Sequence, residues 1–99
     1  MGEYLQVWHA RVPEDNVEQL LALRPAAIAE AQRLCPDLLG ADLVRLEDGT
    51  WLDVLRWRLP DGEERLMEHA DQFDALHKMH ALLEDAAPIG RGEIVGTAG

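Results

Sequence analysis

Gly40–Leu59, GADLVRLEDGTWLDVLRWRL, reads as two strands joined at Glu47-Asp48-Gly49. Asp-Gly between alternating apolar runs is a strong hairpin signal, because glycine tolerates the positive φ that a tight turn needs. Before the turn Ala41, Leu43 and Arg45 alternate with Asp42, Val44 and Leu46; after it Leu52, Val54 and Arg56 alternate with Trp51, Asp53, Leu55 and Trp57. Neither face of this hairpin is cleanly polar.

Working back toward the N-terminus, Glu3–Val12 (EYLQVWHARV) reads as a strand with large apolar groups on both faces. Pro13 opens a helix, since its fixed φ and missing N–H suit a first helical position. Glu14 and Asp15 then complement the positive end of the dipole. Val17, Leu20, Leu21, Ala27, Ile28, Ala31 and Leu34 or Cys35 follow at helical spacing, with Arg24 inside the stripe. Pro25 predicts a kink or short break at Arg24.

Working forward, Leu59-Pro60-Asp61-Gly62 marks a turn and Glu63–Ala70 begins a short helix. A second helix is predicted over Gln72–Ala86, with Phe73, Leu76, His80, Leu83 and Ala87 on one stripe and Pro88 as its stop. Ile89–Thr97 holds a last strand around Glu93-Ile94-Val95, and the tail is expected to fray.

The order β-α-β-β-α-β is the ferredoxin-like plan of an α+β domain: a four-stranded antiparallel sheet with helices on one face. Helices cover one face only, yet the strands place Val, Leu and Trp on both. A second copy joined sheet to sheet is the simplest cover, so a homodimer is expected.

All 99 residues read as a single domain. Such a chain buries roughly 60–70% of its unfolded surface, enough for one core. No signal peptide is read at the N-terminus. No apolar run approaches the roughly 20 residues of a membrane helix. Nineteen acidic against nine basic side chains give a net charge of −10, which repels phosphate backbones; neither nucleic acid nor membrane is an expected partner. The single Cys35 excludes an internal disulfide and fits a reducing, cytoplasmic setting.

The VWHARV first strand, LLALRPAAIAEA, ADLVRLEDGTWLDVLRW and a helix containing FDALHKMH together resemble the antibiotic biosynthesis monooxygenase-like family over nearly the whole chain. The resemblance rests on element order and on the DGTWLDVLRW strand. It implies a homodimeric α/β barrel with a pocket in each protomer between helices and sheet. Some members of the family oxygenate polycyclic phenolic substrates with no cofactor: the substrate carbanion reacts with O2 itself, in a shaped, dry cavity that stabilises developing negative charge. Others degrade haem. In those, a helix histidine in an F-x-x-x-H spacing ligates the iron, and His77 matches that position. They also use an Asn on the first strand and a Trp on the second helix, and this chain has neither.

His80 falls on the apolar stripe of the second predicted helix. There it would face the pocket, as a general base when neutral or as a partner for an enolate when charged; a core or interface histidine would occupy the same place. With His77 and Arg24 it forms the candidate catalytic set. Arg24 would pair with a phenolate or carboxylate, snorkel to solvent, or pair with a residue such as Asp53. Trp57, Trp8 and Phe73 are the candidate substrate-binding residues, since aromatic walls suit a flat ligand; the three Trp residues also serve as core or interface mass. Trp57 is favoured because the resembled family keeps bulk there. Asp74, His77, His80 and Glu84 recur at helical spacing, but no second ligand cluster supports them, so no metal is expected. Cys35, near a helix C-terminus, reads as structural.

The resulting reading is a small dimeric protein that binds a hydrophobic aromatic metabolite, as a monooxygenase needing no cofactor. The alternative is a non-enzymatic binding or accessory module whose interior is filled by side chains. Isomerase or lyase action on a ring ketone would use the same His80.

Overall fold

The computed structural model describes residues 2–99. Its elements are β1 (Tyr4–Arg11), α1 (Glu14–Leu34), β2 (Leu38–Arg45), β3 (Trp51–Trp57), α2 (Gly62–Met67), a 3-10 turn (Ala70–Gln72), α3 (Ala75–His80) and β4 (Glu84–Glu93). The strands form one antiparallel sheet in the order β2-β3-β1-β4, the ferredoxin-like arrangement expected from the element order.

The β2–β3 hairpin closes as its sequence demands. Leu46 and Thr50 pair through the backbone, and Gly49 takes φ 88°. This is a three-residue loop with its glycine in the left-handed region. Asp48 Oδ1 accepts from both the backbone N–H and the hydroxyl of Thr50, at 2.9 and 2.6 Å, and these bonds hold its carboxyl below the usual range.

The two faces of the sheet are now assigned. Trp51, Asp53, Leu55 and Trp57 of β3 and Tyr4, Gln6, Trp8 and Ala10 of β1 face the helices, in cross-strand pairs such as Trp8–Asp53 and Gln6–Leu55. Leu52 and Val54 face the other way, opposite His9 and Val7 of β1 and Val44 and Asp42 of β2. That outer face carries no helix and leaves Val44 exposed.

On the inner face α1 packs along the sheet through two clusters. Leu20 and Ala27 meet Met79 of α3, while Ala31 and Cys35 meet Leu38, Trp57 and Leu66. Cys35 is buried there, its Sγ 3.9 Å from the Gly62 carbonyl.

Three expectations require correction. First, the short break allowed at Arg24 does not occur, and α1 is continuous helix through Pro25. Pro25 and Leu21, whose carbonyl loses its helical partner, are both exposed, which leaves that carbonyl open to solvent while Leu20, Ala27 and Ala31 hold the opposite side in the core.

Second, the helix predicted over Gln72–Ala86 is only Ala75–His80. After it the backbone tightens into i→i+3 bonds at Leu82 and Leu83, and the Asn16 side chain donates to the Leu82 carbonyl at 3.2 Å. Third, Pro88 does not stop a helix. It lies within β4, opposite Trp8 on an edge strand, beside a register shift where a missing N–H is tolerated. The last strand therefore begins at Glu84, earlier than predicted, and ends at Glu93.

Candidate functional site

Between the helical layer and the inner sheet face lies a cavity of about 520 Å³. The aromatic walls are Trp8 from β1, Trp57 from β3 and Phe73 from the segment before α3. Leu55, Ala31, Leu66 and Leu76 complete an apolar lining. The size and character are those of small-molecule sites, which run roughly 300–1,000 Å³ and are mostly apolar with a few placed polar groups.

Those polar groups are Asp53, Glu63, His77 and His80. Both histidines are exposed and, with the exposed Met67, mark the mouth. His77 also meets Phe73 edge-on, ring centroids 5.4 Å apart at 69°. Phe73, Leu76, His80 and Leu83 of the predicted stripe all line the cavity, although a short helix and a turn deliver them there. Ala87, the fifth, pairs with His9 on the sheet instead.

Trp57 is buried, and its indole N–H donates to Gln6 Oε1 at 3.2 Å, which fixes the ring plane. Gly62 lies flat against that ring: a Cβ built there would stand 2.2 Å from Trp57 Cε3. The bare glycine lets α2 begin directly on the indole and carries the next residue, Glu63, into the cavity wall.

Arg24 is not among the lining residues. Its two terminal nitrogens grip Asp53 Oδ1 and Oδ2 at 2.8 and 3.0 Å, with both side chains mostly out of solvent. A guanidinium engaged in this bidentate way braces α1 against β3 and is not free to receive a ligand anion.

Two carboxylates of consequence were not singled out in the sequence. Glu30 of α1 is buried and accepts the backbone N–H groups of Asp74, Ala75 and Leu76 at 3.0–3.2 Å. Burial alone would raise its pKa, but these three donors, helped by Arg33, hold it below the ordinary value. Glu30 thus caps α3 from another helix and fixes the element that carries His77 and His80. Its signal was a charged residue within the apolar arc of Ala27, Ala31 and Leu34.

Glu63 lines the cavity and accepts from Trp8 Nε1 at 3.4 Å. Desolvation pushes its carboxyl up, and Glu64 adds to this; the Trp8 bond and Arg91 only partly oppose it. In sequence it was indistinguishable from Glu64, which pairs with Arg91 at the surface.

Among the described residues, no His, Cys, Asp or Glu cluster of three is gathered to hold a metal; Glu84 lies in β4, away from the helical spacing that had grouped it with the histidines. The residues do not complete a haem site either. The inward amide of β1 is Gln6, not Asn, its oxygen is taken by Trp57, and no Trp follows Trp57 in the chain.

Solved structures with this architecture include SnoaB, a cofactor-independent oxygenase from Streptomyces nogalater. A single-substitution variant of it matches with a TM-score of 0.73 and 17% identity over 98% of this chain and 97% of that one. A protein from Bordetella bronchiseptica, named as a candidate antibiotic biosynthesis monooxygenase, matches with a TM-score of 0.80 and 15% identity over 96% and 99%. This chain carries the antibiotic biosynthesis monooxygenase fold. A dimeric ferredoxin-like protein from an uncultured marine organism also shares it, with a TM-score of 0.68 and 13% identity over 99% and 92%. No protein-family model and no curated protein matches the sequence. Among the described residues, no helix is long and apolar enough to cross a membrane.

Proposed function

We propose that the chain is a homodimeric, cytoplasmic protein that binds a hydrophobic aromatic metabolite and oxygenates it without a cofactor. The single observation that carries this reading is the aromatic-walled cavity of about 520 Å³ with imidazoles at its mouth. Trp57, Trp8 and Phe73 sandwich a flat ring system. His80, with His77 beside it, hydrogen-bonds the substrate and steadies its enolate. The electrons for reducing O2 come from the substrate carbanion, and the apolar walls keep water from it. Arg24 supports the wall through Asp53 and takes no part in the chemistry. The fold shared with a cofactor-independent oxygenase supports the same reaction class.

A binding module without chemistry remains the second reading. A cavity of this size counts against the version in which side chains fill the interior. Oxygen uptake separates the two. With an electron-rich polycyclic phenol, the oxygenase consumes O2 in proportion to product, and His80→Ala lowers the rate by about 10²-fold, the scale for losing one donor that stabilises a developing anion. Ligand retention with no oxygen uptake would leave the binding reading alone standing.

A further inference from the structure

We infer that Glu63 is the proton acceptor inside the cavity: its carboxylate receives the O–H of a neutral aromatic alcohol and takes the proton as the substrate ionises. This rests on the reading that the cavity binds an aromatic metabolite, and adds which group acts on it and what charge the ligand brings.

Three features converge on Glu63. It lines the cavity beside the aromatic walls, whereas His77 and His80 are exposed at the mouth. The other acidic residue in the wall, Asp53, is closed off by Arg24. Trp8 Nε1 bonds Glu63 Oε2, and no hydrogen bond to Oε1 forms among the described residues, so one oxygen is positioned and the other is available. Trp8 is thereby a positioning residue, and Gly62, pressed on Trp57, sets where the carboxylate stands.

The ligand's charge follows from the walls. Among the described residues no lysine or arginine lines the cavity, and the chain carries a net charge of −10. An anion would meet Asp53 and Glu63 with no free cation, so the ligand enters neutral. The transfer conserves charge: the substrate O–H bond breaks, its electron pair stays on the substrate oxygen, and the proton passes to the carboxylate. A carboxyl raised by desolvation is a better match to a weakly acidic alcohol than an exposed one. The charged groups around Glu63 are Glu64 and Arg91 on the outer side, with Asp53, His77 and His80 across the cavity.

The test uses 2-naphthol and 2-methoxynaphthalene, which differ in the O–H, as calorimetric probes of the whole protein below about pH 8, where the phenol stays protonated. In the wild type, 2-naphthol affinity rises with pH as Glu63 ionises, and the Trp8 indole N–H resonance shifts with the same midpoint. Glu63→Gln binds 2-naphthol about tenfold more weakly, the scale of one charge-assisted hydrogen bond, and loses the pH dependence. It binds 2-methoxynaphthalene as the wild type does, and Glu64→Gln changes neither probe. Unchanged 2-naphthol affinity in Glu63→Gln, a flat Trp8 signal, or equal loss of both probes would overturn the inference while leaving the cavity a ligand site. Failure of both probes to bind the wild type would overturn the ligand reading with it.

Discussion

Asp53 shows how one residue pair decides what a neighbour can do. Arg24 was a candidate anion anchor, and the sequence already allowed the competing partnership with Asp53; geometry selects the partnership, because both terminal guanidinium nitrogens are engaged. Arg24→Ala strands a carboxylate in an apolar wall and should cost about 2–3 kcal/mol, with Asp53→Asn in the same chain recovering part of it. A double-mutant cycle by urea denaturation measures the coupling, and additive losses would argue against a structural pair. Glu63 behaves oppositely. Its folded pKa is raised, so the native state holds the proton more tightly than the unfolded chain, and stability is lost as pH rises through that window. Glu63→Gln should therefore leave neutral-pH stability unchanged or slightly higher, as expected of a site residue whose placement opposes folding. Gly62→Ala drives a methyl group into the Trp57 ring and should destabilise by roughly 1–3 kcal/mol, with altered Trp fluorescence.

At the scale of elements, α3 is the one that function depends on and the one least secure by itself. Six residues make a marginal helix, and its orphan N–H groups are satisfied from α1 by Glu30. Glu30→Ala should cost about 1–3 kcal/mol and loosen the cavity mouth before the sheet, visible as faster amide exchange over Ala75–His80. Because Glu30 is held below its ordinary pKa, its contribution is complete above the unfolded value and fades as pH falls through the folded one; the acid limb of the wild-type stability curve should flatten in the variant. The first three strands and the hairpin were legible because period-two alternation and Asp-Gly are local signals. The Gln72–Ala86 stretch was not, because its apolar spacing satisfies a long helix equally well. What ends α3 is distant: Asn16 on Leu82, and an edge of β1 that recruits Glu84–Glu93. The same distance hid Glu63, whose role depends on Trp8, some fifty residues away in sequence.

The whole molecule presents one helix-covered face and one bare face. Val7, Leu52, Val54 and Val44 lie in adjacent cross-strand pairs on the bare side, as the two-faced apolar pattern required. A soluble protein rarely leaves such a patch uncovered. Val54→Asp should convert a dimer to a folded monomer by light scattering, with unchanged far-ultraviolet dichroism; a wild-type monomer would sink the sheet-to-sheet dimer. Beneath the other face, the cavity is the feature on which every functional statement depends, and two of the three tryptophans report on it directly. Trp8 and Trp57 line it, whereas Trp51, buried under Arg45 at 4.4 Å, does not. Titration of 15N-labelled protein with 2-naphthol should shift the indole signals of Trp8 and Trp57 saturably and together, leaving Trp51 in place. Shifts confined to Trp51, or none at any of the three, would contradict a ligand site between the helices and the sheet.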